Sequence, residues 1–304
     1  MGLFNAIMSL SGMIDIDLTE GEALARHTTY RVGGPCELFI CCHSVSALRR
    51  AASVLNHEKI PWVVIGKGSN LLVSDAGYRG AVITLGREFQ RTQFDDDSHT
   101  VTVGAAVLLA HLVNDTLRRG ISGFEFAVGI PGTVGGAISM NAGTRDDWVG
   151  SRVDRVVTYN ASKGIKQYEG DAIAWDYREA SLPGNEIILE TTFRYDGPAD
   201  RNLVCARAER YFSRRKHSQP IGVASCGSVF LNPPEKSVGA LIEACGLKGF
   251  SIGGARVSDV HANFIVNTGS ASADDVMRVI KHVHRKVKDT YGIELKPEVK
   301  FLGF

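Results

Sequence analysis

Two periods run through the chain. Short apolar or alternating runs at "ELFICC" (37–42), "WVVIG" (62–66), "AVITL" (81–85) and "TVTVG" (100–104) are bounded by glycine, proline or polar residues, and each predicts a strand. Between them, "SVSALRRAASVLNHEK" (44–59) carries apolar residues at helical spacing behind a serine, so the chain opens in a βαβ-like order. "VLLAHLVNDTLRRG" (107–120) repeats that spacing and ends at Gly120. Further strands are expected at "VDRVVTYN" (153–160) and "EIILETTFRYD" (186–196). "DGPAD" (196–200) then breaks the pattern and "DRNLVCARAERYFSRRKH" (200–217) starts a helical stretch, so a domain boundary falls here. In the last helix Ser272 and Asp275 predict a capping box, Val276, Val279, Ile280, Val283 and Val287 form one apolar stripe, and Gly292 ends it.

Composition narrows the classes. The 304 residues exceed what one core usually supports, about 250, so two or three domains are expected. With 34 basic and 33 acidic residues the formal net charge is +1, which argues against a nucleic-acid partner. No run approaches the roughly 20 apolar residues of a membrane span. The start "MGLFNAIMSLSGMIDIDL" lacks the pattern of a secretory signal, and Ala6 stands where myristoylation wants Ser or Thr. A cytoplasmic chain without membrane contact is expected. The six cysteines form no CxxC pair, and His282 and His284 lie two apart on a helix, so no metal site is expected.

Two glycine-rich loops carry the first chemical signal. "GIPGTVGGAISMNAG" (129–143) has five glycines and no charge. Glycine loses the most backbone freedom on folding, so such a stretch needs positive φ angles, close backbone packing, or a ligand met by main-chain N–H groups. A tightly packed turn is the plain alternative. "VVIGKGSNLLVSD" (63–75) sets Gly66, Lys67, Gly68, Ser69 and Asn70 after a buried strand, where amides and a hydroxyl can wrap a phosphate. Leu71 stands where a dinucleotide fingerprint needs its third glycine, and the Walker pattern is absent. The two loops together suggest a long diphosphate ligand held by main chain. "SCGSVFLNPP" (225–234) places Ser228 on a turn after Gly227, before a strand-like Val-Phe-Leu that Asn232 and two prolines stop. Cys226 and Phe230 occupy the positions that a nucleophile elbow gives to glycine, so a hydrolase is disfavoured. A capping turn serine is the other reading.

"TTYRVGGP", "GKGSNLLVSD", "GIPGTVGGAISMNAG", "YREASL", "GSVFLNPP", "ALIEACGLKGFSIGGARVSDVHANFIVN" and "GIELKPEVKFLG" follow in order from residue 28 to the C-terminus. Together they closely resemble the UDP-N-acetylenolpyruvoylglucosamine reductase (MurB) family, in its shorter second type. The resemblance implies an α+β chain: a two-subdomain FAD-binding fold of the vanillyl-alcohol oxidase/PCMH type over residues 1–80 and 81–197, then a C-terminal α+β substrate-binding domain over 198–304. It implies noncovalent FAD, with Gly66, Lys67, Gly68, Ser69 and Asn70 at the pyrophosphate and Leu71 beside them. Gly129, Ile130, Pro131, Gly132, Thr133, Gly135, Gly136, Ala137, Asn141 and Gly143 would line the rest of the cofactor.

NADPH is the implied reductant, and UDP-N-acetylglucosamine enolpyruvate the implied substrate of a monomeric enzyme. By the same resemblance Ser228 protonates the carbon beside the ether, while Arg178 of "DYREAS" and Glu298 of "KPEVKF" complete the catalytic set. An arginine fork suits a carboxylate and its developing enolate. Glu298 either stabilises the intermediate or orients a proton relay to Ser228. Arg214, Lys216 and Gln219 of "RRKHSQP", with Asn232, would meet the sugar nucleotide. Read singly, Arg178 is a surface ion pair, Glu298 an edge-strand charge, and the basic run the end of its helix. An FAD oxidase of the same fold and a non-catalytic flavin-binding module are the competing functions; the first leaves "GSVF" and "PEVKF" without a role.

Overall fold

The strand Cys36–Cys42 is apolar at nearly every position because it lies inside a sheet, where Leu38, Ile40 and Cys42 are fully buried. In the computed structural model, which describes residues 2–197, 199–234 and 236–304, it pairs antiparallel with Ile16–Glu20. Met1, Pro198 of the "DGPAD" break and Glu235 lie outside the described residues. The helix Val45–His57 comes next, with the Ser44 hydroxyl accepting the Ala47 N–H, and lays Ala47, Leu48, Ala51, Ala52 and Leu55 into one core. The βαβ-like order does not give adjacent strands. Tyr78–Leu85 is inserted between the two strands that flank the helix, and Trp62–Val64 pairs parallel with it at the edge. Burial decides this: Gly80 to Ile83 are buried, whereas all three residues of Trp62–Val64 are only half-buried.

Two compact units divide the chain. The first comprises Met1–Glu20, Leu38–Gly66 and Gly80–Ser213. Besides the sheet above it holds an antiparallel one, in the order Thr92–Asp95, Thr100–Gly104, Ile187–Arg194, Val153–Asn160, Gly164–Glu169. Val101, Val103 and Phe193 of that sheet share a core with Leu112 and Val113 of the helix Leu109–Arg119 and with Val134 and Ile138 of the glycine loop. Gly120 closes that helix in the left-handed region.

The second unit comprises Gly21–Glu37, Lys67–Arg79 and Arg214–Phe304, so it draws on the first eighty residues as well as the last ninety-one. Its centre is the helix Ala273–Tyr291, whose Val276, Val279, Ile280, Val283 and Val287 are buried beside the small sheet Ser251–Ile252, Ala255–Val257, Ile265–Asn267. Both bonds of the Ser272–Asp275 capping box form. A second cap arrives from far along the chain: the Asp75 carboxylate accepts the N–H groups of Ala273 and Asp274, each at 2.8 Å. Lys300–Leu302 pairs parallel with Leu71–Val73. Glycine is required where main chains touch, since a Cβ on Gly34 or Gly77 would collide with the Asp75 or Pro35 carbonyl. Among the described residues no helix is long and apolar enough to cross a membrane.

Replacing Asp75 by alanine removes a charged acceptor from two N–H groups at a helix N-terminus. The expected loss is about 1–2 kcal/mol of unfolding free energy, read by urea denaturation; an unchanged midpoint would show the cap to be dispensable.

Candidate active site

The glycine loop of the first unit serves two purposes at once. Gly129 and Gly132 take φ of 77° and 130°. The Thr133 hydroxyl then accepts the Gly136 N–H and starts the short helix Val134–Ser139. Val134 and Gly135 donate their N–H groups to the Val107 and Ala105 carbonyls, both at 2.9 Å, and a Cβ on Gly135 would lie 2.9 Å from that of Ala105. Thr133, Val134, Ala137 and Ile138 are buried, but Gly129, Pro131 and Gly136 are exposed, as is Gly66. A Cβ on Gly66 would strike Thr133 Oγ1. Gly66 and residues 129–136 therefore meet, leaving main chain open to solvent with no charged side chain among them. A glycine surface of this kind, without charged side chains, fits the close approach of a flavin dinucleotide to main chain.

Asn141 ends this loop with a φ of 41° and a buried side chain. Its Nδ2 donates to the Asp176 carbonyl at 2.9 Å and its Oδ1 accepts the Gly150 N–H at 3.1 Å, so the carboxamide is spent on main chain. Asp176 belongs to a hairpin, Trp175–Asp176 with Glu179–Ala180, whose tip is Tyr177 and Arg178. Arg178 sits at φ 60°, a left-handed backbone that costs a side-chain-bearing residue roughly 1 kcal/mol. Its Nη1 donates to the Gly143 carbonyl at 3.1 Å and its guanidinium lies 5.2 Å from the centre of the Tyr177 ring. Two side-chain bonds between the hairpin and the glycine loop, from Asn141 to Asp176 and from Arg178 to Gly143, hold this backbone in place.

In the second unit, Gly68 takes φ 62° and has no room for a Cβ beside the His27 carbonyl. The Thr29 N–H reaches the Gly68 carbonyl at 3.2 Å, and the Thr29 hydroxyl donates to the Ser225 carbonyl at 2.6 Å. Asn70 Nδ2 donates to the Glu298 carbonyl at 3.0 Å, and the Lys300 N–H to the Asn70 carbonyl at 3.0 Å. Lys67 is exposed, while Ser69, Asn70 and Leu71 are half-buried.

Ser228 does not begin a regular strand. Residues 228–231 form isolated bridges on both flanks, Ser228 with Phe264 and Phe230 with Pro297. The Glu298 N–H donates to the Val229 carbonyl at 2.8 Å and the Leu231 N–H to the Lys296 carbonyl at 2.9 Å. This pairing sets Val229, the residue after Ser228, against Glu298, and Gly227 at φ 79° supplies the turn before Ser228. Two residues upstream, burial pushes the Cys226 thiol up to about 12; the neighbouring Tyr30 hydroxyl opposes the rise and the Glu298 charge adds to it. A buried neutral thiol is no nucleophile. Tyr30, Cys226 and Asn263 were not singled out by the sequence.

Arg214 and Lys216 are exposed on the helix Arg201–Ser218, where basic residues also complement the helix end, and Arg215 Nη1 donates to Gln219 Oε1 at 3.3 Å. Asn232 Oδ1 accepts the Val238 N–H at 3.0 Å at the start of the helix Val238–Ala244. Among the described residues, one trio of metal-ligand types is clustered: Asp17, Cys41 and His43. Asp17 Oδ2 lies 2.7 Å from His43 Nε2, whereas Cys41 Sγ lies 3.9 Å from Nδ1, so thiol and carboxylate face opposite ring nitrogens. This is a hydrogen-bonded chain rather than a chelate.

Comparison with known proteins points the same way. An FAD-binding domain model matches residues 36–162, and a model of the UDP-N-acetylenolpyruvoylglucosamine reductase C-terminal domain matches residues 219–302. The UDP-N-acetylenolpyruvoylglucosamine reductase of Heliobacterium modesticaldum is 41% identical over 93% of this chain and 90% of its own. That of Syntrophotalea carbinolica is 38% identical over 93% of each chain. The crystal structure of the reductase (MurB) from Thermus caldophilus superposes with a TM-score of 0.81 at 34% identity, covering 94% of this chain and 98% of that one.

His261 offers a pH test of the second unit. Its Nδ1 accepts the Asn263 N–H at 3.1 Å, and burial, aided by Lys248 and opposed by Glu243, holds its pKa below the usual 6.5. The folded state thus binds fewer protons than the unfolded one, so this stability is present above pH 6.5 and lost as pH falls below it. The thermal midpoint should drop between about pH 7.5 and 5.5, and His261→Gln should flatten part of that drop; an identical slope in the variant would exclude His261 as its source.

Proposed function

The chain belongs to the UDP-N-acetylenolpyruvoylglucosamine reductase family, and on that premise we propose how its residues divide the reaction. It is an FAD-containing oxidoreductase that uses NADPH to reduce the enolpyruvyl ether of UDP-N-acetylglucosamine enolpyruvate to the lactyl ether of UDP-N-acetylmuramate, a step of peptidoglycan precursor synthesis. Gly66, Gly129 to Gly132, Gly135 and Gly136, which present no charged side chain, would hold the dinucleotide noncovalently, with Lys67, Gly68 and Ser69 at the pyrophosphate. Bound there, FAD would supply the redox chemistry that links NADPH to the enolpyruvyl group. Thr133, Ala137, Asn141 and Asn70 act from below, by fixing the backbone that the cofactor meets.

One observation supports the chemical assignment: the segment that follows Ser228 on its glycine turn pairs, through the Val229 carbonyl, with the main chain of Glu298. Ser228 Oγ delivers the proton to the carbon bearing the ether. A hydroxyl is a poor acid in water, so it depends on neighbours and on exclusion of solvent. Glu298, on the paired stretch, returns the proton to Ser228 or stabilises the charge. Arg178 offers its fork to the substrate carboxylate and takes up enolate charge, which accounts for an arginine kept in a left-handed turn where glycine would be relaxed. Arg214 and Lys216 meet the diphosphate of the sugar nucleotide, and Gln219 and Asn232 its uridine. The enzyme acts as a cytoplasmic monomer, without nucleic-acid or membrane partners.

Anaerobic stopped-flow absorbance of Ser228→Ala separates the half-reactions. NADPH should bleach the flavin at the parental rate, while reoxidation by the enolpyruvyl sugar nucleotide should slow by about 100-fold or more. Parental reoxidation would reduce Ser228 to a turn residue and pass proton delivery to Glu298. Arg178→Lys keeps the charge but loses the fork, and should lower the same reoxidation step by roughly 10–1,000-fold with flavin content unchanged; equal rates would return Arg178 to a surface role.

A further inference from the structure

The stretch that carries Ser228 is held by a side chain as much as by main chain. Asn263, 3% exposed, lays its carboxamide against the peptide groups of Phe230. The Phe230 N–H donates to Oδ1 at 3.0 Å, and Nδ2 donates to the Phe230 carbonyl at 2.8 Å. The Asn263 main-chain carbonyl accepts the Val229 N–H at 2.9 Å. A carboxamide presents the same donor and acceptor as a peptide unit, so Asn263 supplies a ladder rung where the chain forms no regular strand.

Upstream of Ser228, the Ala224 and Ser225 carbonyls accept the Asn267 N–H and the Thr29 hydroxyl, Cys226 is buried, and a single glycine then separates this anchored stretch from the serine. Gly227, at φ 79°, is the residue type with the freest backbone, so it directs the turn without anchoring the residues after it. The anchor adjoining the serine lies downstream, on Val229 and Phe230, which are both 1% exposed. There Asn263 holds one flank and the Lys296–Glu298 main chain the other. Burying a carboxamide in an apolar cluster is costly unless all its hydrogen bonds are made, and here oxygen and nitrogen are both engaged.

We propose that Asn263 is a positioning residue for the reduction: its carboxamide fixes the Phe230 peptide and so the direction in which the Ser228 hydroxyl is presented. This inference rests on the assignment of proton delivery to Ser228. Misplacement of a reacting group by about 1 Å is enough to cost on the order of 100-fold, while the residue itself touches neither substrate nor cofactor.

The test is a double-mutant cycle on the flavin-loaded protein. Asn263→Asp replaces the Nδ2 donor by an oxygen facing the Phe230 carbonyl, and Asn263→Ser is a milder variant should the first not accumulate folded. Each is combined with Ser228→Ala and followed by anaerobic stopped-flow absorbance. Expected in Asn263→Asp are flavin reduction by NADPH within about twofold of the parent, substrate affinity within about threefold, and reoxidation slowed by about 10–100-fold. In the Ser228→Ala background the same substitution should slow reoxidation no further, because both changes act on one group. Parental reoxidation in Asn263→Asp, or in Asn263→Ser if only that folds, overturns the inference. So does an undiminished slowing on top of Ser228→Ala, which is what a merely structural asparagine would give. Parental reoxidation in Ser228→Ala by itself overturns the serine assignment and this inference with it, and so is distinguishable from failure of Asn263 alone.

Discussion

Buried backbone that is neither helix nor strand must still find a partner for every N–H and C=O, and in this chain asparagine carboxamides provide many of them. Asn141 ties the glycine loop to the Asp176 carbonyl and the Gly150 amide. Asn70 holds the Glu298 carbonyl, and Asn263 both groups of Phe230. Asn267 holds the Tyr30 carbonyl with its nitrogen and the Gly269 and Ala271 amides with its oxygen. Leaving such a group unmatched costs about 1–3 kcal/mol, so each of these positions tolerates change poorly although none need touch a ligand. Functional groups can then sit on irregular, closely packed loops without those loops being soft.

Geometry and chemistry are linked through this scaffold. The carboxamide of Asn141 and the guanidinium of Arg178 both bond across to main chain, so the hairpin that bears Arg178 is attached to the end of the glycine loop at two points. In the second unit, the parallel pairing of Lys300–Leu302 with Leu71–Val73 places the loop of Gly68 to Asn70 in the same hydrogen-bonded array as Glu298. Segments far apart in sequence are thereby mechanically joined within each unit.

Regular elements were legible because their signals are local. The Ser44 and Ser272 caps, the stripe from Val276 to Val287 and the stops at Gly120 and Gly292 all depend on residues within a few positions of one another. Strand order was not legible, since Tyr78–Leu85 takes a central place only through burial that its sequence neighbours do not encode. The glycine loops announced that something approaches their backbone, but not that Gly135 answers to Ala105 and Gly66 to Thr133. Ser228 and Glu298 were separately visible as members of motifs, while the link between their segments arises from pairing across 69 positions, from Val229 to Glu298. Asn263, Cys226 and Tyr30 gave no signal because a buried asparagine, cysteine or tyrosine acquires its role only from what it packs against. Asp75 looked like the end of a phosphate loop, and its carboxylate proved to cap a helix nearly two hundred residues on, with sequence separations of 198 and 199.

The composition of the second unit also sets an order of events during synthesis. Thr29 bonds to a carbonyl 196 residues later and Asn70 to one 228 residues later. Until the last stretch of the chain has left the ribosome, the Thr29 hydroxyl and the Asn70 side chain lack these partners, whereas most of the first unit is already complete by Ser213. Such long-range closure is entropically slow. The nascent protein must therefore carry two segments whose long-range contacts are still to be made through most of its translation, and this is the interval in which it is most open to chaperones, proteases and aggregation.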